Sequence, residues 1–179
     1  MIDPVLGYLV IWDLAALLGW SALQKFGARR EFFEILAAYR VLRERWVPAA
    51  VYGLPAAEGL MALALLIPVS RRAACAAAAG LLLIYGGAIA VNLARGRRDL
   101  DCGCGLASGR RTIAGWMLMR NATLACVALT VALPWVPRTL AWLDIMTIVA
   151  GASAAALLYA CLDALLGRVI PAAALARAR

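Results

Sequence analysis

The chain has 179 residues, of which 65% are hydrophobic and 16% charged, with a formal net charge of +8 and no histidine; its mean hydropathy is +0.86. A soluble domain carries about 25% charged residues, so this composition cannot clothe a water-facing surface and reads as an integral membrane protein. The positive charge then reads as a topology signal and a contact with anionic lipid, not as nucleic-acid binding, for which there is no soluble module.

Apolar runs of about 20 residues, enough for a helix to cross roughly 30 Å of hydrocarbon, occur five times. They predict an all-α, multi-pass transmembrane helical bundle over residues 1–179, with spans near 5–26, 47–69, 73–94, 113–133 and 140–166. Four spans is the alternative count. The first run holds Asp13 and ends in Gln24 and Lys25. It lacks the basic start and small-residue cleavage site of a signal peptide, so it is expected to be retained. Over residues 29–45, Phe32, Phe33, Leu36, Tyr39 and Leu42 recur at spacings of three and four with charges between them, the pattern of an interfacial amphipathic helix. The second span contains Pro55 and Glu58, and the third is rich in alanine, as close helix packing requires. A charged segment, residues 95–112, carries RGRRDLDCGCG. The fourth span contains Arg120 and Asn121, PWVP breaks the chain, and the last span holds Cys161 and Asp163.

Charge asymmetry orients the bundle. Of the 18 Lys and Arg residues, Arg71, Arg72 and Arg138 fall on one side and Arg120 inside a span; the others fall on the side of the cysteine segment. The positive-inside rule makes that side cytoplasmic.

Cys102 and Cys104 flank a single glycine. A C-x-C disulfide needs a tight turn bringing the alpha carbons within about 7 Å, and Gly103 and Gly105 supply the backbone freedom. The small ring would be strained and exposed, hence labile and suited to exchange. Arg95, Arg97, Arg98, Arg110 and Arg111 favour the thiolate, while Asp99 and Asp101 oppose it. A structural zinc site, a soft-metal relay and inert turn cysteines remain open beside redox exchange. No metal ligand set is assigned. Cys161, near the loop-side end of its span, is a candidate resolving thiol; Cys75 and Cys126 read as small buried packers. An ionisable residue inside a span normally has a partner, and Glu58 and Arg120 lie at depths differing by only about 4 to 5 Å, close enough that they could pair. Asp13, Asn92, Asn121 and Asp163 would extend a polar route, serving helix register or the handling of a proton, a quinone or a substrate.

The order of a span ending QKF, an F-x-x-x-L-x-x-Y segment, LPAAE, NLARGRRDLDCGCG and RN resembles the MauE family of methylamine-utilisation proteins, within the wider MauE/DoxX group of redox-associated membrane proteins. The resemblance implies a cell inner membrane helper in maturing, processing or transporting the small, beta subunit of methylamine dehydrogenase, a periplasmic protein with a tryptophan-derived quinone and many disulfides. It implies the thioredoxin-like protein MauD as exchange partner, Cys102 and Cys104 as the redox pair, and Glu58, Asn92, Arg95 and Arg120 as supporting polar positions. No resident cofactor is expected, a bound quinone stays open, and no turnover of a small substrate is implied. The client is periplasmic, whereas the charge count puts the pair inside, so either electrons cross the bundle from cytosolic thiols, or one segment is re-entrant, or the span count is four and the orientation differs. A small membrane transporter or metal carrier using the C-x-C pair is the competing function class, and a scaffold without redox chemistry a third.

Overall fold

The computed structural model describes residues 2–101 and 113–177, with side chains to Leu165. Asp3 starts α1 (Pro4–Gly27): its carboxylate accepts the Val5 N–H at 2.8 Å, and Pro4 occupies the first position, where no amide donor is needed. The amphipathic helix, α2, covers Arg29–Tyr39 and ends with Arg40 in the left-handed region at φ 48. It is shorter than the periodicity suggested, because a turn and a 3-10 helix at Glu44–Trp46 redirect the chain into α3 (Val47–Leu66). α4 (Arg71–Ala94), α5 (Gly115–Val131) and α6 (Trp142–Arg177) complete the chain. The last of these runs 36 residues, past the expected end near 166.

Every extended element among the described residues is therefore helical. Four helices, Pro4–Gly27, Glu44–Leu66, Arg71–Ala94 and Trp142–Leu165, are long and apolar enough to cross a membrane. The fifth expected span, α5, is apolar but has 17 residues, about 25 Å at 1.5 Å per residue.

The helices associate mainly as α1 with α3 and α4 with α5, and α6 lies along α1. Small residues permit the close approach. A Cβ placed at Gly19 would stand 3.8 Å from that of Ala62, and one at Gly59 would stand 3.9 Å from that of Ala22. Around these contacts Ile11, Leu14, Leu18, Leu65, Ala78 and Leu82 form the core. Leucines and isoleucines such as Leu60, Leu63, Ile84, Leu157 and Leu158 are exposed, which a lipid solvent accepts and water does not.

The end of the bundle away from the cysteine segment is closed by aromatic and ionic contacts. Trp135 lies so close to α1 that a Cβ at Gly7 would meet its ring at 2.5 Å. Arg71 stacks 4.0 Å from the centroid of the same ring. Arg138 binds Asp3 at 3.1 Å and Asp144 at 2.8 Å, joining the starts of α1 and α6.

Candidate functional site

The polar groups of the cysteine-segment end gather on three helices. Because Gly59 and Ala22 hold α1 and α3 together, Lys25 and Glu58 meet one turn away from that contact. They form an ion pair with side chains 4% and 0% exposed. One oxygen of Glu58, Oε1, accepts from Lys25, from Ser21 at 3.3 Å and from the Tyr85 hydroxyl at 2.7 Å. Lys25 also donates to Ser21 at 2.9 Å, and its ammonium lies 4.7 Å from the Tyr85 ring centroid and 5.4 Å from that of Phe32. Glu58 Oε2 is buried with no hydrogen-bond partner among the described residues. Such a cluster survives desolvation because its charges neutralise and bond one another.

This partner choice corrects the pairing of Glu58 with Arg120 that their depths allowed. Depth along a span says nothing of which way a side chain faces. Arg120 turns to α6, where it bonds Asp163 at 3.1 Å, Asp163 being 2% exposed. Lys25, read from the sequence only as the end of a span, is the partner that was missed. Its spacing of four from Ser21 was the available signal.

Asn92 is fully buried; its amide donates to the Ala88 carbonyl at 3.0 Å and its side-chain oxygen accepts from Arg97 at 3.3 Å. The helix then ends in a glycine cap. Gly96 takes φ 74, its N–H binds the Leu93 carbonyl, and the Arg97 N–H binds the Asn92 carbonyl. Arg95 reaches back to the Arg40 carbonyl at 3.3 Å, tying this turn to the end of α2. Asn121 is buried on α5, facing Gly86.

The two stems of the cysteine segment are joined: the Ile113 N–H donates to the Leu100 carbonyl at 2.9 Å. Both residues are buried on Tyr39, Ile89 and Met117. Cys102 and Cys104 themselves lie outside the described residues. Cys161 is free and exposed on the outer face of α6. Cys75 is buried as expected, whereas Cys126 is exposed, because α5 turns that face outward.

Beside these stems, α2, α3 and α4 enclose a cavity of about 370 Å³. Its wall is apolar apart from Lys25 and the hydroxyls of Tyr39 and Tyr85. Tyr39 and Ile89 are shared between the cavity and the seat of the stems.

The family model described as methylamine utilisation protein MauE matches residues 3–136, which takes in everything from α1 to the turn after α5. The methylamine utilization protein MauE of Paracoccus denitrificans is 34% identical over 137 residues, covering 74% of this chain and 73% of that protein. That of Paracoccus versutus is 36% identical over 130 residues, covering 73% and 70%. That of Methylophilus methylotrophus is 32% identical over 169 residues, covering 92% and 88%. No solved structure matches the chain significantly.

Proposed function

This chain belongs to the MauE family of methylamine utilisation proteins, and on that premise we propose that it is an inner-membrane maturation factor for the beta subunit of methylamine dehydrogenase, working by thiol–disulfide exchange at Cys102 and Cys104. The observation that supports this most directly is the closed stem. Leu100 and Ile113 are bonded and buried, so the C-x-C segment starts and ends on a fixed base. A reactive pair needs such a base to meet a client repeatedly in one geometry.

In the disulfide form, and with the cysteine segment reaching the client's periplasmic side against the charge count, the pair takes two electrons from a client dithiol. A client thiolate attacks one sulfur, the other leaves as a thiolate, and the second client thiolate resolves the mixed disulfide. The Cys102–Cys104 bond breaks as the mixed disulfide forms, and the client S–S bond forms as the mixed disulfide breaks, leaving the pair as a dithiol. The thioredoxin-like MauD, in its disulfide form, accepts the two electrons and restores the pair. Arg95 and Arg97, held to Arg40 and Asn92, keep positive charge at the base of the segment and favour the thiolate. Arg120, paired with Asp163, and Glu58, paired with Lys25, support the bundle beneath it.

Cys102→Ser and Cys104→Ser are each expected to abolish active methylamine dehydrogenase while leaving this protein in the membrane. Each single variant should also trap a mixed disulfide with its client or MauD. Activity retained in the double serine variant, or a pair permanently capped by a bound metal ion, would overturn the reading. Alkylating intact cells with a membrane-impermeant reagent, before and after reduction, reports the side and the redox state together.

A further inference from the structure

We propose that the cavity under α2 is a binding site for a neutral, planar, carbonyl-bearing lipophile of the quinone class, with its ring carbonyl accepting a hydrogen bond from Lys25 and its ring against Tyr85. This goes beyond the cysteine chemistry and stands apart from it. The cavity's volume, about 370 Å³, lies in the range of small-molecule sites. Val41, Leu42, Gly53 and Ile84 on its lining are exposed, so it opens on the apolar outer surface of the bundle, where a lipid-dissolved ligand arrives without crossing water.

Polarity selects the head group. Lys25 is 4% exposed and lines the cavity, while Glu58 stands behind it and already balances its charge. An anionic head would add an unbalanced charge next to Glu58 in a low-dielectric site, whereas a neutral carbonyl only accepts a hydrogen bond. The ammonium has such a bond to give. Its contact with the Tyr85 hydroxyl is long, 3.5 Å against 2.9 Å to Ser21, and can be exchanged for a shorter one to a ligand. Shape selects the ring, because Phe32, Tyr39 and Tyr85 supply aromatic wall on two sides, and offset stacking on such faces favours a flat π-system over a flexible acyl chain.

The test is direct binding of decylubiquinone to the full-length protein in nanodiscs, with oleate as the acyl-chain competitor. Gly53→Leu fills the mouth of the cavity, because a Cβ at Gly53 meets nothing within 4 Å and the fold can accept it. It should weaken binding at least tenfold. Tyr85→Phe keeps the aromatic wall and removes the hydroxyl that competes with the ligand for the Lys25 N–H, so binding should be held or tightened, and a weakening of about fivefold would overturn the assignment. The Cys102→Ser/Cys104→Ser variant should bind as the wild type does, which separates this site from the exchange reaction. Absence of saturable binding to the wild type would overturn the assignment. So would unchanged binding to Gly53→Leu, displacement by oleate at equal concentration, or loss of binding in the double serine variant.

Discussion

At the scale of single residues, the bundle depends on a few positions whose chemistry has no substitute. Lys25 and Glu58 are buried together, so removing one leaves an uncompensated charge in the interior. Lys25→Met should cost about 3 to 5 kcal/mol, whereas Lys25→Met combined with Glu58→Met should recover most of the loss, since breaking a buried pair costs more than replacing it. Thermal unfolding of the purified variants in one detergent measures both. Gly96 occupies the left-handed region at φ 74, and a Cβ there costs about 1 to 2 kcal/mol. Gly96→Val should therefore destabilise by that amount and disturb the base of the cysteine segment, read as faster alkylation of a cysteine introduced at Leu100. In NLARGRRDLDCGCG the glycines argued from the sequence were Gly103 and Gly105, and Gly96 was passed over. Lys25 did not stand out, because a lysine near a span end ordinarily reaches the interface and carries no further meaning.

Among the elements, periodicity served α2 well and its length less so. The apolar face of Phe32, Leu36 and Tyr39 is the face that packs, with Phe32 on Val47 and Val51 of α3 and Tyr39 on the stems of the cysteine segment. The helix ends early because Arg40 adopts a left-handed turn, and the apolar residues Val41 and Leu42 continue on a non-helical path to the rim of the cavity. Spacing alone does not distinguish these two conformations over four residues. Arg120 of α5 pairs with Asp163 of α6, where the sequence offered Glu58 as a partner at similar depth. Burial also divided the cysteines by helix face: Cys75 points into the core and Cys126 away from it, though both sit on alanine-rich helices.

Taken as a whole molecule, the two ends of the bundle differ in chemistry. The end bearing the cysteine segment carries the arginine-rich turns and the cavity; the other is closed by Arg138 between Asp3 and Asp144 and by Trp135 over Gly7. Hydrogen bonding from Arg138, with help from the Val5 N–H, holds the Asp3 carboxyl below its ordinary value of 3.8. A group whose value is depressed by folding stabilises the fold above its unfolded value and loses that contribution as pH falls through the folded one. The melting-temperature difference between the wild type and Arg138→Gln should stay constant from about pH 7 to about pH 5 and shrink below about pH 4, because Arg138 holds both Asp3 and Asp144 low. The membrane solvent, the helical class and the segment order followed from the sequence itself, because hydrocarbon tolerates few other architectures and span length is set by bilayer thickness. The same is true of the C-x-C segment, whose spacing is a local covalent fact. Only the tertiary structure decided that Lys25 pairs with Glu58, that Asp163 takes Arg120, and that α2 roofs a cavity beside the stems of that segment. Those outcomes depend on helix rotation and on which small residues touch, and a one-dimensional pattern of apolar residues carries neither.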